Sequence, residues 1–542
     1  MNTKIILAKN IKIDKQYKNV LSYNENEMLN LCRNNMVVSS ENYSFIKTTG
    51  QVITNFTYEQ CLKSNYIAFQ NPNYSNKWFF AWIDDVVYRG ENNTEILYTI
   101  DAFSTFYDKW NKKSCFINRQ HTNNDTIGLN TVPENLDVGD VVEEGVFEDA
   151  SYKSDFEYYI GVLTSYKIEN GSDDGGKQHS GITVYNNNVY GSILYLFKII
   201  KNDTSGFKDI INFLNRVNGD NHIKDVKNIF IIPSIAVNEN ALIYNEAHVT
   251  KIHDNSTKFK FYIPRYTFDC SSFNTTINKL NRFSDYTPKN NKCFVYPFNY
   301  LFVSNNQGSN NIYKYENFEG NNCIFENQFA ITIGGSGRLV PKKYKGMITA
   351  DDESLSLGKY PVCEWSSDAF TNWLTQNGVN IVTSLAATGV AVGTTIATAG
   401  ATTPALIGAG VSVAGAVGKT IGDFNQASIL PNISGGQAVG DVIWSANRNC
   451  FTFRQMRVKT EYLKIIDDYF SRFGYAVKKI EIPNIKGRKY WNYVEIGQSE
   501  EIGYGEVPSK YMEIINNAFR SGVTIWHQHE NLGNFNLNNI IV

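Results

Sequence analysis

Residues 369–418 contain no Asp, Glu, Lys, Arg or His. Against 19% charged residues in the whole chain, a stretch of that length would be free of charge by chance with a probability on the order of 10⁻⁵. The inner part, residues 379–418, is mostly Ala, Val, Gly, Thr and Ile, with Gly389, Gly393, Gly400, Gly408, Gly410, Gly415 and Gly418 spread through it. Glycine weakens helix and strand interiors by about 0.5–1 kcal/mol each, so this is not the composition of an ordinary core. At Gly400 to Pro404 the run breaks, because Pro404 cannot continue a helix and Gly400 supplies turn freedom. Two apolar arms joined by a turn result.

The first arm, residues 379–399, would reach about 31 Å as a helix, close to the hydrocarbon thickness of a bilayer. It carries Val379, Ile381, Val382, Leu385, Gly389, Val390, Val392, Gly393 and Ile396, with Gly389 and Gly393 at the spacing that lets helix backbones approach closely in lipid. The second arm, residues 405–418, carries Leu406, Ile407, Val411, Val413 and Val417, and Lys419 and Asp423 follow it. As a helix it is long enough to enter a membrane but not to cross one easily. Small and glycine-rich, the pair is closer to a fusion or pore-lining segment than to an anchor rich in Leu and Phe. The same composition also fits a glycine-rich hairpin buried at a subunit interface. A segment hidden in an assembly and released later satisfies both readings.

The remainder is ordinary in charge and unusual in aromatics. The chain has 542 residues, 51 Lys plus Arg against 53 Asp plus Glu, and 14% aromatic residues. Length argues for several folding units. A net charge of −2 excludes bulk attraction to nucleic-acid phosphates or anionic membranes, and the aromatic content excludes disorder. The N-terminal apolar run is too short for a signal-peptide core. The cysteines Cys32, Cys61, Cys115, Cys270, Cys293, Cys323, Cys363 and Cys450 form no CxxC pair and read as buried thiols of a protein made in reducing cytosol. Whether Cys270 and Cys293 lie close is left open.

Alternating short runs predict strands at 79–87, 96–100, 114–118, 158–163, 182–185 and 229–232. A helix is expected at 207–217. Tyr462, Ile466, Tyr469 and Phe473 recur at helical spacing before Gly474, which predicts a helix over 460–473. A strand at 475–482 with 490–496 as its partner, a helix capped by Ser509, and a strand at 523–526 complete the reading. The fold class is mainly β with some α (α+β). The expected regions are 1–150, 151–345, a connecting segment 346–376, a hydrophobic loop 377–441 and a C-terminal region 442–542.

Chemistry-bearing patterns are sparse. His527 and His529 would face one side of a strand, as metal ligands sometimes do, but no third ligand stands out, and no metal or cofactor is expected. The loop 171–177, with Asp173 and Asp174, reads as a turn. Gly334 to Gly337 lacks the Lys-Ser/Thr and the helix of a phosphate loop and reads as a flexible turn. Asp101 and Glu134 lie in stiff aromatic surroundings, where capping or ion pairing is the ordinary role of a carboxylate. No catalytic residue is nominated, and the chain is not expected to be an enzyme.

Several blocks nevertheless form an ordered set: Asn65 to Asn71 with Asn76 to Phe79, Ile100-Asp101, Asn118 to His121, Val132 to Leu136 with Gly139, Glu461-Tyr462 to Gly474-Tyr475, Arg488 to Tyr493, and Val507-Pro508 to Gly522 through His527. In these blocks the chain resembles the tail knob, or distal tail tube, proteins of small short-tailed bacteriophages with protein-primed genomes, the Salas-type picoviruses. The resemblance covers both ends and departs in the middle. It implies β-sheets lining a ring at the distal tip of the virion tail, built as a homohexamer that adjoins other tail proteins of the lower collar or upper tube and passes double-stranded DNA without sequence specificity. It further implies that a loop at about 377–441 plugs the lumen and enters the host cell membrane as a pore during genome ejection. The alternative is a purely structural tube or adaptor whose glycine-rich hairpin packs permanently between subunits.

Overall fold

The computed structural model describes residues 3–41, 43–46, 50–70, 76–148, 158–165, 183–185, 188–190, 193–199, 213, 225–233, 237, 243–246, 260–263, 272–305, 309–331, 335–345, 356–357, 364–365, 437–439, 442–444 and 451–542. Strands dominate, with a few helices. The chain forms two compact units: Met1–Asp140 with Asp285–Phe298 and Val458–Val542, and Val141–Ser284 with Asn299–Arg457.

The first unit holds a seven-stranded and a five-stranded sheet. At the centre of the larger sheet, Tyr66–Gln70 pairs antiparallel with Trp78–Gly90, which pairs with Asn93–Ile100. Aromatic residues line both faces: Phe69 and Phe79 stack with centroids 5.5 Å apart, while Tyr66 and Trp82 meet edge-on. The smaller sheet runs Asn19–Leu21, Val523–Trp526, Trp491–Ile496, Cys115–Gln120, Tyr475–Glu481. Trp491 and Trp526 are fully buried, lie 5.1 Å apart and share Phe535. Burying side chains of this size contributes about 1.5–3 kcal/mol each.

The 475–482 and 490–496 strands were expected to be partners. Instead Cys115–Gln120 lies between them and pairs with both. The connection from 482 to 490 is tied to that inserted strand, with Asn484 N donating to Gln120 Oε1 at 2.9 Å and Asn484 Nδ2 to His121 O at 2.9 Å.

The Thr460–Phe473 helix has the expected bounds, but its inward stripe is Leu463, Ile466, Asp467 and Phe470. Tyr462 is exposed and lays its ring over Gly139, where a Cβ would come within 2.6 Å. The Ser509–Arg520 helix starts one residue earlier than capping by Ser509 would require: Pro508 holds the N-cap position and Ser509 is already helical, as suits a rigid φ at a helix entrance.

The second unit contains four-, eight- and three-stranded sheets and a two-stranded pair. Its core gathers Leu301, Tyr313, Phe318, Phe325 and Phe453. The strands expected at 158–163 and 229–232 are central here as Tyr158–Thr164 and Val226–Pro233, which pair antiparallel. Gly335 to Gly337 do not form the expected turn: they open the Gly335–Lys342 strand and pair with Ile331, Ala330 and Phe329. Apart from Phe213, the expected 207–217 helix lies outside the described residues, as do the 171–177 loop and Gly334.

Candidate functional site

The apolar arms and their turn lie outside the described residues: Val379, Ile381, Val382, Leu385, Gly389, Val390, Val392, Gly393, Ile396, Gly400, Pro404, Leu406, Ile407, Val411, Val413 and Val417. Apart from Asn71, the sequence blocks at the two ends of the chain are described, and they fall inside the first unit, several of them around buried charge.

Glu134 is the centre of one cluster. Its carboxylate is 1% exposed and forms ion pairs with Arg119 and with Lys292, which is 2% exposed. One carboxylate oxygen also accepts from Ala476 N at 2.9 Å. Arg119 donates to Gly474 O at 2.7 Å, and Lys292 donates to Val132 O at 2.9 Å. Burial pulls the Lys292 amine below its usual range, against the opposing pull of Glu134. Gly474 allows the close approach: its φ is +65°, and a Cβ there would sit 2.3 Å from the Gln120 backbone.

Asp467 is the centre of a second. It is fully buried on the inward stripe of its helix, and its oxygens accept from Tyr286 Oη at 2.7 Å, Lys289 N at 2.7 Å, Asn290 N at 3.0 Å and Asn290 Nδ2 at 2.8 Å. Beside it Asp125 accepts from Tyr475 Oη at 2.5 Å and from Asn291 N at 3.0 Å. Burial raises the pKa of Asp125. Cys293 is buried with Sγ 3.7 Å from Asp467 Oδ1, whereas Cys270 lies outside the described residues. Together these bonds hold residues 285–298 against strands and a helix far away in sequence.

His121 adds an uncharged tie. Its Nδ1 accepts from Tyr493 N at 2.8 Å and its Nε2 donates to Ser471 O at 3.1 Å. Desolvation, followed by the charge of Arg488, lowers its pKa to about 3, so the ring stays uncharged and keeps its acceptor.

Asp101 and Glu134 therefore do the ordinary work expected of them. Asp101 caps the Ala102–Phe106 helix through Ser104 N and accepts from Tyr66 Oη at 2.8 Å; burial raises its pKa. His527 and His529 do not share a strand face. The strand ends at Trp526 and His529 begins a 3₁₀ turn. The His527 ring nitrogens meet Ser22 Oγ at 2.9 Å and Asn492 Oδ1 at 3.1 Å. Asp125, Asn290, Lys292 and Asp467 were not singled out from sequence. Asp467 left one signal, a carboxylate between Ile466 and Phe470 on an apolar stripe, which a helix tolerates only where donors await it. Among the described residues, no group of three or more His, Cys, Asp or Glu is placed to hold a metal ion, and no helix is long and apolar enough to cross a membrane.

A family model described as the C-terminal domain of tail knob protein gp9 of Bacillus phage phi29 matches residues 258–540, more than half of the chain and including the whole charge-free stretch. The chain belongs to the phi29 gp9 tail knob family. A second model, the N-terminus of caudoviral major tail proteins, matches residues 1–111, the part that holds the seven-stranded sheet. Tail knob protein gp9 of Bacillus phage phi29 is 21% identical over 560 residues, covering 89% of this chain and 88% of the relative. The gp9 protein of Bacillus phage B103 is 22% identical, covering 93% and 92%. The structure of the bacteriophage C1 tail knob protein, gp12, superposes with a TM-score of 0.56 at 14% identity over all of both chains, which shows a shared tail knob fold. The family resemblance read from the sequence blocks and the mainly β fold class are both borne out. Within the tail knob family, the buried clusters make this site a structural tie between the two ends of the chain.

Proposed function

We propose that six copies of this chain form a distal tail tube that adjoins other tail proteins and conducts double-stranded DNA, with the 377–441 loops plugging the lumen before infection and forming a pore in the host membrane during genome ejection. In this reading residues 1–150 and 442–542 build the tube, 151–345 is a middle domain and 346–376 connects it to the loop. The observation that carries the proposal is the charge-free stretch within a tail knob chain. Six such loops inside a closed tube cover one another's apolar arms without lipid, and their release presents them together beside a bilayer at high local concentration. The near-neutral charge of −2 also suits a conduit, because each lysine or arginine contacting phosphate would retain DNA.

Liposome leakage tests the reading. The wild-type particle should release a trapped dye after loop exposure, and Val392→Asp with Ile396→Asp should abolish release while leaving tails assembled. Leakage from the double variant at the wild-type rate defeats the pore. If protease access to Ala387 is the same before and after DNA release, the hairpin is instead a permanent part of the tube.

A further inference from the structure

The chain passes between the two units four times, at 140/141, 284/285, 298/299 and 457/458, and each unit closes its own side of those passages. In the first unit Lys459 N donates to Asp140 O at 2.9 Å, Val458 N to Phe298 O at 3.0 Å and Thr460 Oγ1 to Asp285 Oδ2 at 2.7 Å. Residues 458–460 thus gather the other three ends of that unit at one place. In the second unit the Val141–Glu148, Thr452–Val458 and Asn299–Ser304 strands lie side by side in the four-stranded sheet, with Asn299 opposite Arg457. Glu144 on the first of these strands accepts from Arg457 Nε and from Ser284 N. The four ends on this side are held by one sheet and one carboxylate.

The apolar cores divide at the same places. Among the described residues, the core of Leu301, Tyr313, Phe325 and Phe453 is made of second-unit residues, and the cores around Trp491, Phe519 and Phe69 are made of first-unit residues. The partners of Glu134 and Asp467 described above all belong to the first unit. The segment 285–298 lies between two second-unit segments in the sequence, yet its bonds go to Asp125, Glu134 and Asp467. The charge-free stretch 369–418 falls within the second-unit segment 299–457.

We propose that the second unit is a two-part insert that the first unit does not need in order to hold its fold, so that the part carrying the charge-free stretch rearranges while the first unit stays closed. A domain with its own core holds its fold without its neighbour. Where the host already keeps the ends of an insert together, the length of the insert adds little to the entropy lost on closing it. The rearrangement rests on the loop reading above; the independence of the two folds does not.

Hydrogen exchange of the full chain, read peptide by peptide with mass spectrometry, tests the independence. Phe325 is fully buried against Tyr313, Phe318 and Phe453. Phe325→Ala should speed exchange of 299–304 and 322–331 about tenfold or more, and Phe325→Leu by a smaller factor. In both variants 475–481, 491–496 and 523–526 should stay within about twofold of the wild type. Asp467→Ala should do the reverse, speeding 286–298 and 460–473 and leaving 322–331 within about twofold. Equal acceleration of both units by either substitution overturns the insert, as does a Phe325→Leu chain in which neither unit is protected. None of these readings needs a ring or a membrane. Separate responses in a chain that causes no dye leakage would defeat the pore and leave the insert standing.

Discussion

The first unit and the charge-free stretch handle polarity in opposite ways. In the first unit, carboxylates sit in the core at Glu134 and Asp467, each meeting donors from segments more than a hundred residues away, with Arg119 as a nearer partner of Glu134. The stretch 369–418 contains no charge to satisfy. Buried charge is costly unless its geometry is met in full, so the first arrangement commits those segments to one packing. An apolar, glycine-rich segment carries no such commitment and is compatible with more than one environment. The tube-and-plug reading proposed above calls for both.

Substitutions that add or remove charge should break this contrast if it is wrong. Asp467→Ala would leave Lys289 N, Asn290 N and Tyr286 Oη without their carboxylate acceptor. The expected loss is about 3–5 kcal/mol in denaturant unfolding; a loss under about 1 kcal/mol would mean that residues 285–298 are held by something else. Gly474→Ala places a Cβ against the Gln120 backbone at positive φ and should cost about 2 kcal/mol or more, read as a drop in the thermal midpoint.

The pH dependence probes the same packing more gently. His121 has its folded pKa lowered to about 3, against an ordinary value of about 6.5. Between those values the unfolded chain binds the extra proton, so stability is present above about pH 6.5 and falls as pH drops toward 3, by about 1.4 kcal/mol per unit for this group. Burial raises the pKa of Asp101 and Asp125, which works in the other direction. His121→Gln should therefore flatten the acid-side loss between pH 4 and 6, measured by urea titration at each pH. The smallest effect belongs to the other region: Val392→Asp should change the unfolding free energy by less than about 0.5 kcal/mol. A loss as large as that of Asp467→Ala would place Val392 in a fixed core and end the contrast.

Much of this was legible locally. The Thr460–Phe473 helix announced itself by period and by Gly474, because side-chain spacing and a glycine stop act within a few residues. The Val523–Trp526 strand did likewise. The partner of Tyr475–Glu481 was not legible: a nearby strand is a sound first choice, but Cys115–Gln120 inserts between the two from more than 350 residues away. The inward stripe of the helix was read one residue off, since large aromatics such as Tyr462 mark a buried face in general yet here one of them covers Gly139 at the surface.

Composition and short-range order suffice to separate the charge-free stretch from the rest, to set the mainly β character and to carry the family resemblance, because each depends on residues close together along the chain. Only the tertiary structure decides that Asp467 and Glu134 are buried anchors, that residues 285–298 return to the first unit, and that Ile480 and Ile482 stand exposed on an edge. The cost of a carboxylate or the gain of an isoleucine depends on what surrounds it, and those surroundings come from segments that the order of residues leaves far apart.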